Sequence, residues 1–145
     1  MTKKEWFFLL ALLCASVLLV GNALSQEVPS PPTGPVAEKP TLVQATMCAS
    51  LKEGSPCDPG AVFPVSQGKV LCFSSFDPVP RKTFVTHSWF HRDVLISRQK
   101  LTLNTPRWST YSTIQLRESD KGPWRVEIAD QDERILETLR FSITD

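Results

Sequence analysis

His87 lies in a run of β-branched and aromatic residues, Thr83 to Phe90, and His91 follows four positions later. An imidazole serves as metal ligand, general base or buried hydrogen-bonding group, and its surroundings decide which. Along an extended strand a four-residue step covers about 13 Å, too far for one metal to bridge unless the chain turns between the two rings. His87 shares a strand face with Trp89, so the expectation is a buried ring whose N–H is satisfied inside the protein. Nucleophilic catalysis asks for a serine or cysteine beside a base held by a carboxylate. Ser88, Ser109, Ser112, His87, Asp93 and Asp130 supply those types, as almost any chain of this size does. There is no Gly-x-Ser-x-Gly elbow and no glycine-rich phosphate loop. No catalytic residue, metal or cofactor is therefore expected. An enzyme using His87 is the lesser alternative, and it requires a concave pocket around that residue.

Binding is the other chemistry on offer. Trp89, Trp108 and Trp124 each carry a large apolar surface and one N–H donor. Trp89 and Trp124 fall on the apolar side of alternating strands, so they and Phe141 are expected in the core. Trp108 lies beside a loop, and with Tyr111 and nearby arginines it forms a candidate platform for a sugar. Arg92, Arg98, Lys100 and Arg107 cluster around a middle hairpin with only Asp93 opposing them, a candidate patch for an anionic glycan, a lipid headgroup or an acidic partner. The candidate binding residues are thus Trp108, Tyr111, Arg107, His87 and Arg92. A formal net charge of +1 gives no bulk attraction for nucleic acid, and none is expected as a partner.

These side chains need elements to hold them. Lys3 and Lys4 precede an uncharged apolar run from Trp6 to Val20, which Gly21 and Asn22 interrupt. Small residues at Ala23 and Ser25 suit a signal peptidase, so residues 1–25 are expected to be a cleaved signal peptide. The apolar run is shorter than the roughly 20 residues a membrane span needs, which leaves an N-terminal anchor as the alternative. Residues 26–40 contain Pro29, Pro31, Pro32, Pro35 and Pro40 and read as an extended linker. Residues 41–145 are the expected domain, placed in the periplasm or at the cell surface.

Export places the cysteines where disulfides persist. Cys14 leaves with the leader; Cys48, Cys57 and Cys72 remain, so at most one bridge forms within the chain. Chain entropy assigns about 2.7 kcal/mol to a Cys48–Cys57 bridge and about 3.5 to Cys48–Cys72, which hardly separates them.

From Thr41 onward the apolar residues alternate with a period of two. Val70 to Ser75 is an almost continuous apolar strand, Thr83 to Phe90 and Val94 to Leu103 flank a turn at His91-Arg92-Asp93, and a further strand runs through Tyr111 to Leu116. Lys121-Gly122-Pro123 turns into Trp124 to Ile128, and Asp130 to Glu133 turns into Ile135 to Ile143. Seven or eight short strands and no helix beyond the signal segment predict an all-β fold, a small immunoglobulin-like β-sandwich behind an N-terminal signal helix.

The pieces Val70-Leu71-Cys72-Phe73, His87-x-Trp89-Phe90, Arg107-Trp108-Ser109-x-x-Ser112, Gly122-x-Trp124-Arg125-Val126-Glu127 and Phe141-x-Ile143, together with Cys48 and Pro56, resemble a bacterial family known as domain of unknown function 2914. The resemblance runs from about Ala45 to Thr144, and His-x-Trp and Gly-x-Trp-Arg-Val are its most specific elements. The chain departs from it where the family carries arginine directly before the Thr110 position; here Arg107 precedes Trp108 instead. The resemblance implies an extracytoplasmic all-β module with no established activity. It also implies a Cys48–Cys72 disulfide, because both stand where the family tends to carry cysteine. The function expected is an exported, non-enzymatic interaction module for an envelope protein, with carbohydrate binding through Trp108 and Tyr111 as the alternative. Contact with a membrane is expected only through an uncleaved leader.

Overall fold

The computed structural model describes residues 38–145. The leader, its expected signal helix and most of the proline-rich stretch lie outside the described residues. Nine strands follow one another: β1 (Leu42–Lys52), β2 (Ser55–Pro59), β3 (Val62–Pro64), β4 (Lys69–Phe76), β5 (Thr83–His91), β6 (Val94–Leu103), β7 (Trp108–Gln115), β8 (Gly122–Ala129) and β9 (Ile135–Thr144). Two single 3-10 turns, Val65–Gln67 and Glu118–Asp120, lie between them. One sheet has the order β2-β1-β4-β7 and the other β3-β9-β8-β5-β6. The fold is an all-β sandwich, as the alternation predicts, with nine strands in place of seven or eight.

The alternation sets the layers. On β5, Val85, His87 and Trp89 are buried, and on β8 Trp124, Val126 and Ile128 are buried while Arg125 and Glu127 turn outward. β9 contributes Phe141 and Ile143 to the same face. Across the gap β4 supplies Val70, Cys72 and Phe76. Each such buried side chain contributes about 1.5–3 kcal/mol before chain entropy is counted. Phe141 sits among three aromatic rings, edge-on to Trp89 at 6.0 Å and Phe63 at 6.2 Å, and stacked on Trp124 at 6.0 Å.

The strand order explains the immunoglobulin likeness. β6, β5, β8 and β9 follow the order of the C′, C, F and G strands of a variable-type domain, and Trp89 is the buried tryptophan of the C-like strand. The short β3 closes the far edge, running parallel to β9. The β5–β6 turn has two residues rather than three: His91 still pairs with Val94, and Arg92 and Asp93 alone take left-handed φ of 48° and 67°. Two consecutive positive φ angles make the mirror-image hairpin turn whose twist suits the strands.

The cysteine expectation is corrected here. Cys48, Cys57 and Cys72 are all free thiols. Met47 stands opposite Cys72, and Cys48 opposite Leu71, in the β1–β4 ladder. Neighbouring residues of a strand point to opposite faces, so Cys72 enters the core while Cys48 joins Leu71 and Phe73 on the other side of the sheet. A sheet therefore stands between the two sulfurs, and the bridge the resemblance implied is not formed. The immunoglobulin alternative, a bridge from β4 to β8, lacks its second cysteine, since Gly122–Ala129 contains none.

Candidate functional site

His87 lies at the centre of a buried polar relay. Its Nε2 is 3.0 Å from Ser74 Oγ and its Nδ1 is 2.8 Å from Ser112 Oγ, and Trp89 Nε1 donates to the same Ser112 oxygen at 3.0 Å. Alternation on β4 and β7 turns both serines inward from one sheet, while β5 presents His87 and Trp89 from the other. All four side chains are buried. Burial lowers the imidazole pKa from 6.5 to about 4, so the ring is neutral at physiological pH. Charging it would make both nitrogens donors and force the serine hydroxyl that donates to the neutral ring to find another acceptor. The relay brings serine and histidine together without a carboxylate partner, and all of its side chains are withdrawn from solvent. What it does is fasten the sheets at one place and fix the ring orientation of Trp89.

The remaining expected binding residues are scattered. Trp108 and Tyr111 are 40% and 49% exposed, but they are three positions apart on β7 and so face opposite sides of the sheet. Trp108 stands opposite Phe76 and Tyr111 opposite Phe73. They do not form one platform. Arg107 lies beside Asp77, Nε to Oδ2 3.8 Å, at the end of the sandwich where β4 finishes. Arg92 is at the other end of β5, donating from Nη2 to the Lys121 carbonyl at 3.2 Å. The expected patch of Arg92, Arg98, Lys100 and Arg107 is thus divided. Arg98 and Lys100 share a surface on the outer face of β6, where Arg98 lines a groove with Glu127 and Glu133, while Arg92 lines a separate groove with Arg125 and Arg140 from β8 and β9, which sequence proximity did not suggest.

That surface is the outer face of the five-stranded sheet. Lys100 Nζ lies 3.8 Å above the Phe84 ring, Arg98 Nε donates to Ser88 Oγ at 3.2 Å, and the Arg125 guanidinium lies 4.0 Å above Phe90. Arg140 stands directly across the ladder from Arg125. Arg125 is paired with Asp93 in the turn and with Glu127 at 2.9 Å. Beside this face β6 forms the sheet's edge, with Val94, Leu95 and Ile96 exposed at 61%, 46% and 54%. A groove of about 300 Å³ adjoins it, lined by Ile96, Ile114 and Trp124 with polar Gln115, Arg117 and Asp120. The sequence suggests an edge strand or loop face for a partner but does not single out β6, because strand order, not composition, decides which strand lacks a neighbour.

The His-x-Trp element thus supplies the relay and the buried ring of β5. Trp124 and Phe141 complete the aromatic cluster from β8 and β9. Residues 82–143 match the family described as "Protein of unknown function (DUF2914)". The DUF2914 match bears out the resemblance read from the sequence over β5 to β9, including His87, Trp89, Arg107, Trp108, Tyr111 and Trp124. It begins at Lys82 rather than near Ala45, so Cys48 and Cys72 fall outside it. No curated protein matches the chain. Among the described residues no group of three His, Cys, Asp or Glu side chains is placed to hold a metal ion, and no helix is long and apolar enough to cross a membrane.

Proposed function

We propose that this chain is an exported, non-catalytic interaction module that binds a protein partner by strand addition at β6. The observation that carries the proposal is the state of that edge. The sandwich has four edge strands. β2 and β3 are five and three residues long and each ends in proline, a device that blunts edges. β7 lies beside β6 and has its Thr113 carbonyl taken by the side chain of Gln99 from β6, Nε2 to O 3.1 Å, which leaves the β6 backbone groups free. β6 is ten residues long, its backbone bonds only to β5 among the described residues, and it exposes three consecutive aliphatic side chains. A long open edge with apolar residues is what strand-adding recognition uses. The charged and apolar pattern of residues 1–25 supports export.

Photo-crosslinking in intact cells tests this. A crosslinker at Leu95 is expected to capture one discrete protein, and Ile96→Lys, a change at an exposed position, is expected to abolish the product. A crosslinker at Val62 on the short β3 serves as control. Equal products from both positions, or a product indifferent to Ile96→Lys, would overturn the assignment.

A glycan on the outer face of the four-stranded sheet is the second reading. Tyr111 is supported there by a groove of about 320 Å³ whose lining includes Ser50, Lys69, Thr113 and Gln115. An aromatic face beside polar donors suits a sugar ring. Glycan-array binding lost in Tyr111→Ala but kept in Trp108→Ala would favour it over strand addition.

A further inference from the structure

We infer that the strand received by β6 is acidic: an extended, antiparallel segment with carboxylates at two alternate positions followed by aliphatic residues. This rests on the strand-addition reading above and names its partner chemistry. From Ser97 to Thr102 the burial of β6 alternates, with Arg98, Lys100 and Thr102 exposed and Ser97, Gln99 and Leu101 turned inward. Any strand added to β6 continues the same pleat, so every second side chain of the newcomer stands beside Arg98 and Lys100 on the outer face.

Those two cations are held in place without a direct ion pair, although Glu127 and Glu133 line the groove that Arg98 borders. Lys100 rests on Phe84 and Arg98 is held by Ser88. Among the described residues neither makes an ion pair, while Arg125 already occupies both Asp93 and Glu127. The outer face with its turns thus carries Arg92, Arg98, Lys100, Arg125 and Arg140 against Asp93, Glu127 and Glu133, although the whole chain is at only +1. A carboxylate arriving opposite Arg98 or Lys100 gains a cross-strand pair; an amine there meets repulsion.

A second copy of this chain does not fit the edge. Antiparallel pairing of β6 with itself about Gln99 sets Arg98 against Lys100. Pairing about Ser97 sets Lys100 against Val94. Pairing about Leu95 joins the aliphatic residues but brings Arg92 to Arg98. Each register places like charges together or a cation on an apolar side chain, which is how edge cations prevent self-association. An antiparallel partner with the opposite pattern meets neither conflict. Its residues facing Lys100 and Arg98 come first in its sequence, and those facing Ile96, Leu95 and Val94 follow.

The test uses the isotope-labelled full chain and two synthetic peptides about as long as β6. One carries glutamates at two alternate positions followed by valine and isoleucine; the other has lysines in place of the glutamates. Amide chemical shifts report where each binds and how tightly. The expected result is movement of the Val94–Leu103 amides, with the glutamate peptide bound roughly tenfold more tightly, a gap that narrows in high salt. Arg98→Glu combined with Lys100→Glu is expected to reverse the preference. Equal binding of both peptides at β6 would overturn the acidic partner and leave strand addition standing. No movement at β6 with either peptide would overturn both readings. A glutamate peptide that shifts only the region of Arg125 and Arg140 would show charge attraction without strand addition, and would also overturn the inference.

Discussion

His87 Nδ1 and Ser112 Oγ lie 2.8 Å apart, and the contact ties β5 of one sheet to β7 of the other through the middle of an otherwise apolar core. Ser112 has a single oxygen, yet it serves two side chains from the opposite sheet, His87 and Trp89. In a medium of low dielectric such a satisfied network holds groups in one arrangement, and a broken one is costly.

The first consequence is acid sensitivity. His87 is held neutral by burial with a pKa of about 4, against 6.5 for the free ring. Between those values the unfolded chain takes a proton that the folded chain does not, so stability is complete above pH 6.5 and falls as pH drops towards about 4. The full window amounts to about 3 kcal/mol. Urea midpoints near neutrality and at about pH 5.5 and 4.5 should decline in that order, and His87→Gln should be less stable near neutrality but show a flatter profile. A wild-type midpoint that does not change over this range would contradict the buried neutral ring.

The serines should not be equivalent. Ser74→Ala removes one partner of His87, with an expected cost of about 1–2 kcal/mol. Ser112→Ala strands both His87 Nδ1 and the Trp89 N–H, and about 2–4 kcal/mol is expected. Chemical denaturation of the two variants at neutral pH checks the ranking. Equal losses would mean that Trp89 finds another acceptor.

The period-two alternation of β5, β8 and β9 was readable because Trp89, Val126 and Phe141 need a buried face while Arg125, Glu127 and Arg140 need water. The first three strands leave a weaker trace in the sequence. β1 carries Thr46, Cys48 and Ser50 among its apolar residues, and β2 and β3 are short and rich in proline, so periodicity gives little signal there. Burial of His87 beside Trp89 followed from shared parity, but the serine partners come from strands 13 and 25 residues away and depend on sheet pairing. Trp108 and Tyr111 are close in sequence and suggest one platform, but their odd spacing in an extended strand sets them on opposite faces. The basic surface depends on the β5–β8–β9 ladder, which brings Arg125 and Arg140 to one groove with Arg92.

Thiol reactivity provides a direct check on the β1–β4 register. Cys48 and Cys72 are buried, and burial pushes both thiols up, well beyond the usual range for Cys72. Cys57 is part-exposed. Brief alkylation of the native chain should therefore mark Cys57 first and leave Cys48 and Cys72 until denaturant is added, as peptide mass mapping would show. A Cys48–Cys72 cross-linked peptide from the native protein would contradict their placement on opposite faces.

The turn between β8 and β9 depends on one carboxylate. Asp130 Oδ1 accepts the backbone N–H groups of Asp132 at 2.9 Å and Arg134 at 3.0 Å, and Oδ2 faces Arg134 Nε at 3.3 Å and Lys39 Nζ at 3.6 Å. Burial alone would raise its pKa, but the two backbone bonds with Lys39 and Arg134 outweigh that and hold the carboxyl below its ordinary value. Its contribution is therefore present above the usual carboxylate pKa and is lost as pH falls through the lowered one. Asp130→Ala removes both acceptor bonds and is expected to cost about 1.5–3 kcal/mol at neutral pH. Asp130→Asn keeps an oxygen for the two N–H groups and loses only the charge, so a cost below about 1 kcal/mol is expected. Thermal unfolding of both variants decides between the roles. If asparagine is as damaging as alanine, the charge facing Lys39 and Arg134 holds the turn; if asparagine is mild, the backbone bonds do.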